Sequence, residues 1–144
     1  MLHVLSGFVG FGAIGMTGYY GHRATIEPFE PGVRRYFSPG LNWAERAVFI
    51  VPLLGIILLF EQKNGSVARS TWVITGVIIW VLATWISAFR IWPNEERIRR
   101  KFQDMEGEGV DVAGEIVEYA KKIQIPSLTV VILYIVAATI MIIK

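Results

Sequence analysis

Four apolar blocks, at residues 2–20, 41–60, 70–89 and 125–143, set the pattern of the chain, and polar stretches separate them. The third and fourth blocks carry no charge, and the first has only His3 as a readily protonated side chain. A hydrocarbon layer ~30 Å thick is crossed by roughly 20 helical residues, which is the length of each block. Strands of a membrane barrel are about half as long and alternate apolar with polar positions, which these blocks do not. In lipid a helix satisfies its own backbone hydrogen bonds, so helices are the economical solution. The pattern predicts one all-α domain over residues 1–144, an integral membrane four-helix transmembrane bundle with connections at 21–40 and 90–124.

Several residues refine that outline. Pro52 lies inside the second block, where a missing N–H predicts a kink, with Gly55 beside it as a point of close approach. Trp43, Trp72 and Trp92 fall near block ends, the depth favoured by amphipathic rings, while Trp80 and Trp85 fall mid-block. The connection at 21–40, with Pro28, Pro31 and Pro39, reads as an ordered but irregular loop. After Pro93, residues 94–102 are strong helix formers that extend the third block, and Gly107 and Gly109 end that extension. Asp111 then caps a short amphipathic helix at 112–123, ended by Pro126. Ile116, Tyr119, Ala120 and Ile123 share one side of it, and Glu118 and Lys122 are spaced for an ion pair. Such a helix is expected to lie on the cytoplasmic membrane surface or on a partner.

Composition agrees: 53% of residues are hydrophobic and 18% charged, with a mean hydropathy of +0.49, beyond the needs of one soluble core. A net charge of +2, with aromatics placed in the apolar blocks, argues against a nucleic-acid partner. Without cysteine there are no disulfides, thiol nucleophiles or cysteine metal sites. The first block follows no basic residue and ends in Gly18-Tyr19-Tyr20-Gly21, unlike a signal cleavage site, so it is read as retained. Of the 14 Lys and Arg, only Lys63, Arg69 and Lys144 lie on one side of the implied topology. All the others lie in or beside the two long connections, and the positive-inside rule then predicts extracytoplasmic termini in a bacterial cytoplasmic membrane.

Candidate chemistry is sparse. At 100° per residue His3, Gly7, Gly10, Ile14, Thr17 and Gly21 fall on one helix face, and small residues let backbones approach in lipid. That face has two readings: packing within the bundle, or a docking face for a partner helix or a flat ligand such as haem or quinone. His3 is the candidate cofactor ligand. His22 is ~28 Å along the same helix at ~1.5 Å per residue, so the two cannot share one haem. Glu45 and Glu61 sit at block ends, so no proton relay or paired carboxylate is expected, and no metal site. Arg97, Arg99, Arg100 and Lys101 form a basic cluster that either sets topology or holds anionic lipid headgroups.

The order of Leu2-His3-Val4-Leu5 with Gly7 and Gly10, then Val51-Pro52-Leu53-Leu54-Gly55, Trp72 and Trp92-Pro93, resembles a bacterial family of small four-helix integral membrane proteins catalogued as a domain of unknown function. The resemblance covers about residues 2–100; the stretch near 106–123 departs from it. It implies a four-helix membrane bundle and transfers no catalytic residue. The expected function is a non-enzymatic accessory or assembly subunit of a larger membrane protein complex, with a bacterial respiratory complex as first choice. The alternatives are a haem- or quinone-binding redox protein using His3 and, third, a small transporter.

Overall fold

A computed structural model describes residues 2–38, 40, 42–61, 70–108 and 112–143, and every regular element among them is helical. The elements are α1 (Leu2–Ile26), α2 (Pro31–Tyr36), α3 (Trp43–Arg46) running through a 3₁₀ turn (Ala47–Phe49) into α4 (Ile50–Glu61), α5 (Thr71–Ile86) running through a π turn (Ser87–Ile91) into α6 (Trp92–Glu108), and α7 (Ala113–Ile143). Among the described residues three helices are long and apolar enough to cross a membrane: Trp43–Phe60, Thr71–Met105 and Ala113–Ile143. α1 has 25 residues and is not among these three. Lys63, Gly65, Arg69, Gly109, Asp111 and Lys144 lie outside the described residues.

The prolines explain where the helices change character. Pro52 lies inside a helix that runs from Trp43 to Phe60, and just before it, at Ala47–Phe49, the regular turns give way to a 3₁₀ turn, in keeping with its missing N–H. The carbonyl four residues back, that of Val48, accepts the Trp80 indole N–H at 2.9 Å instead. Ahead of Pro93 the helix widens: the N–H of Trp92 reaches the Ser87 carbonyl, five residues back, which makes room where the proline ring would otherwise strike the preceding turn. Pro126 corrects the expected separate amphipathic helix. It does not end that helix but lies inside α7, which runs unbroken for 31 residues. α6 ends at Glu108, inside the Gly107-Glu108-Gly109 stretch expected to end it. The connection at 21–40 is less irregular than expected. α1 runs on to Ile26, and Pro31, its φ preset at the first helical position, starts α2.

Length alone divides the molecule. At ~1.5 Å per residue the helix from Thr71 to Met105 is ~52 Å long and α7 is ~46 Å, so each overruns a ~30 Å hydrocarbon layer. α1 and α7 run antiparallel, with Gly21 against Ala120 and Ile123, Gly18 against Ser127 and Gly7 against Tyr134. The overhanging ends therefore meet at one end of the bundle. There Ala24, Val33, Phe37, Ile98, Phe102, Val112, Ile116, Ala120 and Ile123 form a closed core, which we call the head. Ile116, Ala120 and Ile123 thus face the chain's own core, while Glu118 and Lys122 pair at 2.5 Å on the open side. Only 11% of the most apolar window in each of the three long helices is buried inside the chain.

Candidate functional site

Where α1, α2, α3 and α6 converge, the head contains a polar cluster. Val33 and Phe37 are fully buried and seat α2, while Tyr36 stacks on Tyr20 of α1 with ring centres 4.3 Å apart. That seating aims the Tyr36 hydroxyl at Thr17, 2.5 Å away. Asn42 donates its amide N–H to the Tyr36 oxygen at 3.2 Å, and the Thr17 hydroxyl donates to the Glu45 carboxyl. Each hydroxyl has one proton to give, so the bonds form a one-way chain from Asn42 through Tyr36 and Thr17 to Glu45. Burial raises the pKa of the Tyr36 phenol above its usual value and keeps it a donor.

Glu45 is 1% exposed, and Glu95 of α6, also buried, lies near it. Arg99, one turn along α6, donates one guanidinium nitrogen to Glu95 and another to the Gly40 carbonyl. Arg46, its guanidinium 3.7 Å over the Trp92 ring, adds a second positive charge near Glu95. Two carboxyls and two guanidinium groups thus stand close together, with Glu45, Glu95 and Arg99 buried and Arg46 partly exposed. Above them opens a cleft of about 580 Å³ lined by Tyr20, Arg35, Tyr36, Ser38, Asn42 and Arg99. Arg35 is exposed at this cleft and has no side-chain partner among the described residues.

The predicted docking face does not meet a single neighbour. Gly7 and Gly21 face α7, whereas His3, Gly10 and Thr17 face the stretch from Asn42 to Gly55. A Cβ on Gly10 would sit 2.6 Å from the Val48 backbone nitrogen, and one on Gly7 would sit 3.3 Å from the Tyr134 ring. The chain's own segments therefore occupy both halves of that face. The basic run spreads around α6. Arg99 is buried, Arg100 pairs with Glu96, Lys101 pairs with Glu115 of α7 at 2.8 Å, and Arg97 lies 5.5 Å over the Tyr119 ring. These four do not make one open patch.

His3 donates Nδ1–H to the Val51 carbonyl at 2.8 Å and lines an apolar cavity of about 220 Å³ between α1, α4, α5 and α7. A cavity of ~150 Å³ holds one benzene ring. At about 220 Å³ this cavity is somewhat larger than that. Among the described residues no group of three or more His, Asp or Glu could hold a metal ion.

The sequence reading did not bring Glu45 and Glu95 together. The signal was there. Glu45 and Arg46 are the only charges in the second block, and Glu95 and Arg99 are spaced one helical turn apart. Compared with family models, curated proteins and solved structures, the chain matches none.

Proposed function

We propose that the chain is a four-span protein of a bacterial cytoplasmic membrane, with both termini extracytoplasmic, and that it serves as a non-catalytic accessory subunit of a larger membrane complex. α1 is the fourth span on this reading: its 25 residues reach ~37 Å, and it packs lengthwise against α7. The basic residues crowd the two connections that build the head, which supports a cytoplasmic head by the positive-inside rule. The polar groups of the head are committed to one another. Thr17, Tyr36 and Asn42 spend their donors in sequence, and Arg99 is clamped between Glu95 and Gly40. Groups so engaged shape a surface and leave no free nucleophile–base pair among them.

The observation that carries this reading is Arg35, exposed at the cleft and without a side-chain partner among the described residues. A planar guanidinium with free donors suits a carboxylate, so the cleft is read as the dock for an acidic segment of the partner. Its volume lies within the ~300–1,000 Å³ of typical binding clefts. The test uses membranes from the native host, solubilised in mild detergent and sized by native mass spectrometry. The wild-type chain is expected in an assembly larger than its own 16.2 kDa, Arg35→Glu is expected to run free, and Lys121→Glu, the same charge change outside the cleft, to stay assembled. A wild-type chain that runs alone, or an Arg35→Glu chain that stays bound, would sink the proposal.

A further inference from the structure

The geometry points to a second binding site, independent of the accessory reading: the cavity between α1, α4, α5 and α7 takes a single hydroxylated aromatic ring, a hydroquinone or simple phenol, whose O–H donates to Nε2 of His3. A carbonyl oxygen only accepts, so the 2.8 Å contact to Val51 fixes the His3 proton on Nδ1. Nε2 then carries a lone pair, and it has no partner among the described residues. An acceptor on a largely apolar wall selects a ligand that brings a donor. The hydroxyl of Tyr134 is the other side-chain polar group of that wall left without a partner among the described residues, because the Trp80 N–H is spent on Val48.

The shape selects a flat ligand of one ring. Gly7 and Gly76 belong to the wall, and their lack of side chains lets Tyr134 and Met141 come close to the backbone there. Two flat surfaces are already fixed: Tyr134 is stacked on Phe11 with ring centres 4.8 Å apart, and Trp80 is held by its hydrogen bond. Ring faces held in place favour an aromatic guest at little ordering cost. About 220 Å³ exceeds the ~150 Å³ that holds benzene by room for a few substituents.

The probe is trimethylhydroquinone, kept reduced, titrated into the full chain in nanodiscs by isothermal calorimetry, with its dimethyl ether as the ring without donors. The wild type is expected to bind the hydroquinone at least about tenfold more tightly than the ether, as one added hydrogen bond allows. His3→Phe should keep the ring and lose the preference. Gly76→Val should weaken both ligands, since the Cβ there meets only the flexible end of Met141, at 2.9 Å, and the fold can give way. Equal binding of hydroquinone and ether by the wild type would make the cavity a groove for lipid chains and overturn the proposal. So would an unchanged preference in His3→Phe, or no saturable binding at all.

Discussion

The head and the spans are built from the same helices under opposite rules. In the head, Ile98, Ile116 and Ile123 are fully buried, and polar residues such as Lys122 face outward. Along the spans the apolar side chains face outward: Leu53 is 61% exposed and Phe60 85%. α1 comes closest to its neighbours at glycines, Gly10 against the Val48 backbone and Gly18 against Ser127. Water drives apolar groups together, at about 25 cal/mol per Å² buried, so the head needs a core. Lipid tails give no such drive, and span contacts rest on close approach and hydrogen bonds. Two solvents account for one chain with two kinds of interior.

The sharpest way to break that comparison is to truncate the same residue in both regions. Ile116→Ala removes a buried side chain from the head and is expected to cost ~2–5 kcal/mol. Ile57→Ala, on the exposed side of α4, is expected to stay within ~0.5 kcal/mol. Denaturant titration of each variant in the same micelles measures both. Equal losses would mean that the head is not a water-facing core.

Within the spans the comparison turns on shape. Gly10→Leu puts a side chain where a Cβ alone would come within 2.6 Å of backbone, while Gly12, two residues along, has nothing within 4 Å. Overpacking at Gly10 is expected to cost ~1–3 kcal/mol, and Gly12→Leu should be near neutral. Thermal unfolding in one detergent distinguishes them. Matching melting temperatures would remove close approach as the basis of the α1 contact.

What the sequence made legible follows the same division. Long apolar blocks announce helices in lipid because length and hydropathy suffice there, and the helices at 43–60, 71–105 and 113–143 overlap three predicted blocks. The 3.6-residue spacing of Ile116, Ala120 and Ile123 announced a buried face because the head obeys the rule for water. What covers that face was not legible, since a pattern names the side and not the occupant. Pro126 misled for a local reason: a proline costs one hydrogen bond and a clash, and in a helix packed along α1 that loss is absorbed. The polar cluster stayed hidden because Thr17, Tyr36, Glu45 and Glu95 come from four separate elements, and only tertiary packing joins them.

The smallest expected effect concerns pH and belongs to the head alone. Burial raises the Tyr36 phenol above its ordinary pKa of 10.0, because a phenolate there would lose its water and face Glu45 and Glu95. In the unfolded chain the same phenol titrates near 10.0, so above that pH the unfolded state loses a proton that the folded state keeps. Stability from this group is complete below pH ~10 and falls as pH rises past it, by up to ~1.4 kcal/mol per pH unit. At half a unit past that point the loss is still under ~1 kcal/mol. Tyr36→Phe cannot ionise, so its stability should fall less steeply between neutral pH and pH ~10.5 than that of the wild type, although its absolute stability is lower for want of the bond to Thr17. Unfolding followed at both pH values checks the difference in slope. Identical slopes would mean that the phenol is in contact with water, and the one-way chain from Asn42 to Glu45 would then be open at Tyr36.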